Sequence, residues 1–268
     1  ALVDKYEGKD SLVKFKQGYM YYLYLNFNNK ALANTNIRKA LSLAIDRKDL
    51  CNKVLKDGSR AATGMVPSQL SKSPAGKDFR DDAGVLVGYD VKKAQEYLDA
   101  AKKELGTDTI TVDLLYGTDE SPMDTMAEYL QGSFTKLKGL KVNMVATVKK
   151  DRIYNREAHG NFQVVCTRWG PDYADPTTYL NLATTDNSNN YGKYTNAKYD
   201  ALMEQIQKES DLTKRWDLMI QAEKVMMEDM AYIPVFEKGS AALKAKNVKG
   251  LVHSAVGVPY TFKYVTIK

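Results

Sequence analysis

Arg168-Trp169-Gly170-Pro171-Asp172-Tyr173-Ala174-Asp175-Pro176 is the stretch on which the reading of this chain turns. It follows a short apolar run, Phe162 to Cys166, whose composition predicts a buried strand. It then places an indole, a flexible glycine, a turn-setting proline and two carboxylates within a few residues. A carboxylate beside an aromatic ring at the mouth of a sheet is suited to hold a cation. Read without context, Pro171-Asp172 is also an ordinary turn pair, and Trp169 serves equally as a cleft wall or as core. Asp175-Pro176 reads as the start of the next helix or turn.

Working outward, apolar spacing sets the class. Tyr19 to Phe27, rich in Tyr and Leu, predicts a strand. Asn34-Thr35-Asn36 is a cap cluster, and Ile37, Ala40, Leu41, Ala44 and Ile45 behind it trace one helix face. A second short helix is expected from Asp49 to Leu55, then a long irregular excursion from Lys56 to Tyr89. Lys92 to Leu105 is helical with Gly106 as its stop. Ile110, Val112 and Leu114 alternate as a strand. Ser121-Pro122 reads as an N-cap with proline in the first helical position, followed by a helix closed by Gly139. Val142 to Val148 alternates again, and a short helix fits Lys149 to Glu157. The order strand, helix, strand, helix, strand predicts an α/β layer with a mostly parallel sheet. Ligands of such sheets bind beyond the carboxyl ends of the strands, and Trp169 to Asp172 lies just past such an end.

Downstream, Asn196 caps a helix that turns Tyr199, Leu202, Met203 and Ile206 inward. A second helix, from about Thr213 to Met230, carries Trp216 as core. Tyr232 to Phe236 is a short strand. Lys238 to Lys268 shows strand-like pieces, Ala241-Ala242-Leu243 and Phe262-Lys263-Tyr264-Val265, and no helical pattern. The polar loop Asn187 to Asn190 with Tyr191 is a solvated turn that could rim a cleft.

Composition excludes several classes. Over 268 residues, 44% hydrophobic and 27% charged content is that of an ordinary globular chain, with length enough for one large core. No run of about 18 apolar residues is present. The net charge of +6 is dispersed among acidic residues, and the pairs Lys92-Lys93, Lys102-Lys103 and Lys149-Lys150 read as solvated faces, so no nucleic-acid partner is expected. Cys51 and Cys166 belong to no metal-spaced motif, although one bridge could form between them. His159 and His253 are each alone, so no metal site is expected. There is no nucleophile elbow and no phosphate loop. Asp172 and Asp175 could in principle form a glycosidase pair, but nothing else points to catalysis, and neither enzyme activity nor a cofactor is expected. Ala1-Leu2-Val3-Asp4 offers neither an initiator Met nor a signal-peptide pattern, so a processed chain or a piece of a longer one is expected.

Three blocks together resemble the solute-binding proteins of ABC importers, in the oligopeptide- and dipeptide-binding family. The first is Leu25-Asn26-Phe27-Asn28 followed by Ile37-Arg38-Lys39-Ala40-Leu41-Ser42-Leu43-Ala44-Ile45-Asp46-Arg47. The second is Trp169 to Thr177. The third is Tyr194-Thr195-Asn196 with Tyr199-Asp200, then Arg215, Ala222-Glu223 and Ile233-Pro234-Val235. Order and spacing fit across nearly the whole chain.

The resemblance implies a periplasmic-binding-protein-like fold of two lobes with a peptide enclosed between them, of which this chain matches the C-terminal half. On that reading 1–21 is a hinge or other-lobe segment, 22–236 the ligand-binding lobe, and 237–268 return strands to the other lobe. A signal and lipid-anchored cysteine would stand in the other half, tethering the parent outside the cytoplasm beside its ABC permease. Asp172 occupies the place that pairs with the ligand's α-ammonium group. Arg168, Trp169, Gly170 and Tyr173 stand where cleft-lining side chains and backbone groups are expected. Some relatives carry a basic residue three positions before the Trp to meet the ligand's carboxylate; here that position is Cys166, so recognition of a peptide C-terminus does not carry over. Related proteins also serve as solute or signal-peptide sensors or bind nickel complexes, haem or sugars.

Overall fold

The computed structural model describes residues 2–9 and 11–268. Its frame is a sheet of six strands: β1 (Leu12–Leu25), β2 (Arg60–Ala61), β3 (Ile110–Gly117), β4 (Leu140–Thr147), β5 (Val164–Trp169) and β6 (Tyr232–Leu243), in the order β2-β6-β1-β5-β3-β4. β3 runs parallel to β4 and β5. β1 is antiparallel to both β5 and β6, and β2 to β6. The expected α/β class is therefore found, and β3, β4, β5 and β6 share one direction. The first predicted strand is the exception within the parallel series. β1 is held between β5 and β6 by a long antiparallel ladder, from Leu12 opposite Leu243 to Tyr24 opposite Tyr232.

Helices cover both faces. β1 is buried on both sides, so its residues divide by parity. Tyr21, Leu23 and Leu25 pack against α1 (Thr35–Leu43), α2 (Val91–Leu105) and α3 (Met123–Phe134) through residues such as Leu41, Leu98 and Leu130. Tyr22 and Tyr24 face the opposite layer, built on α4 (Ala197–Lys208) and α5 (Leu212–Glu228) through Tyr199, Met203, Trp216 and Met226. A strand covered on both faces must be apolar throughout, which is why Tyr19 to Leu25 shows no polar alternation. Caps fix the helix starts. The Asn34 side chain accepts from the backbone of Asn36 and Ile37, Asp90 from Lys93, and Asn196 from Lys198 and Tyr199. Gly106 closes α2 at φ 66°.

Several boundaries depart from expectation. Asp49 to Leu55 is mostly a wide π-helical turn, Leu50–Leu55, and Lys149 to Glu157 likewise opens into one at Arg152–Glu157. Pro122 is the capping residue of α3 after a cis Ser121–Pro122 bond, and the helix begins at Met123. β5 begins two residues later than expected and runs through Trp169, because Thr167, Arg168 and Trp169 pair with Tyr22, Tyr21 and Met20. Trp169 thus ends the strand instead of following it. Ala241-Ala242-Leu243 is the end of β6, paired with Lys14, Val13 and Leu12. Phe262 to Val265 is not a strand; the tail instead forms two short pairs, Val248–Lys249 with Thr266–Ile267 and Val252–His253 with Tyr260–Thr261. Cys51 and Cys166 are both buried free thiols, so the conceivable bridge is not formed.

Ion pairs, one buried and one half-buried, tie neighbouring segments to α5. Arg80 donates to both carboxylate oxygens of Glu223, at 2.6 and 2.7 Å, and Glu223 also accepts from the backbone of Val66. Arg215 is bidentate on Asp175, at 2.7 and 3.1 Å. Trp216 is buried as expected, with its indole nitrogen donating to Asp82.

Candidate functional site

The β1–β6 ladder slips between Lys16 and Met20. Gly18 lies in that slip at φ 70°, and a Cβ there would stand 2.6 Å from the Ala255 carbonyl and 3.1 Å from Pro171 Cγ. Only glycine fits both the backbone and the space. The kink brings β1, the 168–173 stretch and the tail together. Two cavities open on this junction, and Tyr19 lines both.

The first cavity, ≈ 490 Å³, lies between Gln17, Pro171, Asp172 and the tail around His253 to Tyr260. Asp172 is exposed, and its backbone N–H donates to Thr178 Oγ1 at 3.1 Å. Among the described residues, no hydrogen bond or ion pair engages its carboxylate. The turn is held by backbone and by Asp175, so Asp172 is not spent as a cap. Asp175 performs that local role, accepting from the backbone N–H and hydroxyl of Thr177. Burial pushes its carboxyl upward, but the hydrogen bonds from Arg215 and Thr177 prevail and hold it below the ordinary range.

The second cavity, ≈ 310 Å³, lies at the carboxyl ends of β3, β4 and β5. Trp169 and Arg168 line it. Arg168 stacks its guanidinium over the rings of Tyr19 and Tyr21 and donates to the Tyr21 hydroxyl at 3.2 Å. Its floor is a buried charge cluster. Arg152 binds Glu120 through Nη2 at 2.8 Å and Nε at 3.2 Å, and also binds Glu157 and Thr167 Oγ1. Lys149 stands 3.6 Å from Glu120 Oε1 at the mouth. Burial, opposed by Arg152, raises the Glu157 carboxyl above its usual range. Burial first, and the Glu157 carboxylate second, push the Tyr24 hydroxyl well above its ordinary value. That hydroxyl nevertheless completes no hydrogen bond of good geometry.

Arg168, Trp169, Gly170 and Asp172 therefore gather at one junction, with Gly170 pressed beneath the Tyr19 ring. Tyr173 lies elsewhere. It is exposed, and its hydroxyl meets Thr177 and Asn181, away from both cavities. Asn189 and Tyr191 rim the second cavity, as the polar loop suggested. Glu120, Lys149, Arg152 and Glu157 were not anticipated. The rule that ligands sit beyond strand carboxyl ends could have found them, since each follows β3 or β4 as Trp169 ends β5. Among the described residues no group of His, Cys, Asp and Glu is placed to hold a metal, and no helix is long and apolar enough to cross a membrane.

Residues 1–191 match the family model of bacterial extracellular solute-binding proteins, family 5 (middle region). A dipeptide-binding protein of Lactococcus lactis subsp. cremoris is 35% identical over 243 residues, covering 89% of this chain and 44% of the relative. The dipeptide-binding protein DppE of Bacillus subtilis is 29% identical over 96% of this chain and 47% of its own length. The chain spans about half the length of these curated relatives. Among solved structures, the substrate-binding domain of an oligopeptide ABC transporter from Bacillus anthracis superposes with a TM-score of 0.88 at 31% identity, over 99% of this chain and 52% of the other. The peptide-bound OppA of Listeria monocytogenes gives a TM-score of 0.85 at 31% identity over the same shares. Motif order, sheet topology and these likenesses agree: the chain belongs to the family 5 bacterial extracellular solute-binding proteins.

Proposed function

We propose that this chain is one lobe of an extracytoplasmic oligopeptide-binding component of an ABC importer, and that Asp172 anchors the ligand's free amino terminus. The observation that carries the reading is the Asp172 carboxylate itself. It lines a cavity, unpaired among the described residues, on a turn that other residues hold. An α-amino group has a pKa near 8 and is mostly cationic at neutral pH. Pairing it in a closed cleft fixes a peptide's register without reading side chains, and backbone groups near Arg168 and Gly170 extend the ligand as an added strand.

The mechanism is hinge closure of two lobes on the ligand, with no bond made or broken. The buried hydrophobic residues run from Met20 to Phe236, which supports a ligand-binding lobe at 22–236 with 1–21 and 237–268 belonging to the hinge and the other lobe. Partnership with a membrane permease, and tethering through a lipid anchor in the other half, complete the reading.

The test is calorimetric titration of the full-length, two-lobed protein with short peptides, free or acetylated at the amino terminus, against wild type and Asp172→Asn. Removing one member of a desolvated charge pair costs about 2–5 kcal/mol, or about thirty-fold or more in affinity. Acetylation and the substitution should each produce that loss, and together little more than either alone. Equal binding of free and acetylated peptides by wild type would end the amine-anchor reading.

A further inference from the structure

The Asp172 turn is tied to the bend in β1 through two adjacent residues. Thr178 Oγ1 accepts from the Asp172 backbone N–H at 3.1 Å. The Tyr179 hydroxyl donates to the Gly18 carbonyl, inside the slip of the β1–β6 ladder. Both residues are buried, Thr178 at 3% exposure and Tyr179 at 0%. Burial first, and the charge of Glu237 next, push the Tyr179 hydroxyl well above its ordinary value, so it stays a donor at neutral pH. Pro171, the residue before Asp172, crowds Gly18 so closely that a Cβ there would stand 3.1 Å from its Cγ.

The two residues sit on a fixed mount. They are the middle of the single helical turn Thr177–Leu180. Arg215 of α5 grips Asp175 just before this turn. The Tyr199 hydroxyl of α4 donates to the Leu180 carbonyl at 2.5 Å at its end. The turn is thus held to the helical layer on both sides, and from it one side chain reaches the Asp172 backbone and the next reaches β1. The exposed Asp172 carboxylate takes its place from that backbone. An ion pair made through directed hydrogen bonds weakens when either group is misplaced, so an anchoring carboxylate needs such support.

We infer that Thr178 and Tyr179 are positioning residues for the ligand's amino terminus. Thr178 sets the backbone that carries the Asp172 carboxylate, and Tyr179 sets where that backbone stands against the bend at Gly18. Both act from beneath, through Asp172. The inference rests on the amine-anchor reading.

The experiment titrates the full-length, two-lobed protein with trialanine and pentaalanine, each free or acetylated at the amino terminus. The readout is the ratio of free to acetylated affinity within one variant, which is independent of any overall loss of binding. Thr178→Val keeps the shape and removes the acceptor, Thr178→Ser keeps the acceptor, and Tyr179→Phe removes only the hydroxyl. Thr178→Val and Tyr179→Phe should each cut the ratio about three- to tenfold, the equivalent of one net hydrogen bond. Thr178→Ser should hold it within about twofold of wild type. A merely structural role would lower the melting temperature and both affinities together and leave the ratio unchanged, and that result would overturn the inference. So would a loss in Thr178→Ser as large as in Thr178→Val, a comparison that stands even if Tyr179→Phe does not fold. Equal binding of free and acetylated peptides by wild type would instead end the amine-anchor reading, and this inference with it.

Discussion

The ring of Tyr19 lies across Gly170 so closely that a Cβ at residue 170 would stand 2.4 Å from Tyr19 Cε1. Tyr19 lines both the cavity holding Asp172 and the one floored by Glu120 and Arg152, and Arg168 stacks over its ring at 5.3 Å. Gly170→Ala must therefore swing the ring away. Tyr19 is 38% exposed, so it can move without tearing the core, and stability should fall by less than about 1 kcal/mol. Peptide affinity should fall about tenfold as the wall shared by the two cavities is displaced. Calorimetry paired with thermal melting reads both. A large stability loss with affinity kept would show that Tyr19 cannot yield and is not part of the cleft.

Arg80 and Glu223 form the other decisive pair and line neither cavity. Glu223 is fully buried, and Arg80 satisfies both its oxygens. Arg80→Met strands the carboxylate and should cost about 3–5 kcal/mol. At this size that corresponds to a fall of roughly 6–20 °C in melting temperature. The double variant Arg80→Met with Glu223→Leu should recover most of the loss, since an apolar pair replaces an ion pair without an orphan charge. If the double variant melts as low as the single one, the pair's packing, and not its charge balance, is what the fold requires.

Much of this architecture was legible because its signals are local. Asn34 and Asn196 announce helix starts by chemistry that acts within three residues, and Gly106 announces a stop. What escaped depends on pairing across distance. β6 runs to Leu243 only because Leu12 to Lys14 lie alongside it, and β5 extends through Arg168 and Trp169 because Met20 and Tyr21 receive them. Polar residues there ended the apolar pattern before they ended the strand. The candidate site divided the same way. Asp172 and Trp169 sit in one motif and were found together. Glu120, Arg152 and Glu157 lie up to 37 residues apart in the chain, from Glu120 to Glu157, and each alone looks like a solvated charge. Only the parallel register of β3, β4 and β5 folds them into one buried cluster.

Asp175 and Arg215 predict a pH dependence with a definite sign. The folded state holds the Asp175 carboxyl below its usual value, because the hydrogen bonds from Arg215 and Thr177 outweigh its burial. Its contribution is therefore complete above the unfolded carboxyl pKa near 3.9 and fades as pH falls through the lower folded value. Asp175→Asn should be less stable than wild type by about 1 kcal/mol at neutral pH. The two stability curves should converge in acid below about pH 3.9. Denaturant melts from pH 7 downward test this, and a gap that stays constant into acid would show that the loss is one of packing.

Cys51 and Cys166 give a reporter of opening. Both are buried and free, and burial raises both thiols, Cys51 to about 12, so neither forms appreciable thiolate at neutral pH. They lie in the same apolar layer, Cys51 among the contacts of the wide turn after α1 and Cys166 at the centre of β5. Native protein should react with a thiol reagent orders of magnitude more slowly than unfolded protein, and non-reducing electrophoresis should show no internal bridge. Cys166, in a strand paired on both sides, should be protected up to the global unfolding free energy. Cys51, in a wide turn near the surface, should react first. Cysteine-to-serine variants studied one at a time assign the two rates, and equal rates would mean that the wide turn opens only when the whole sheet does.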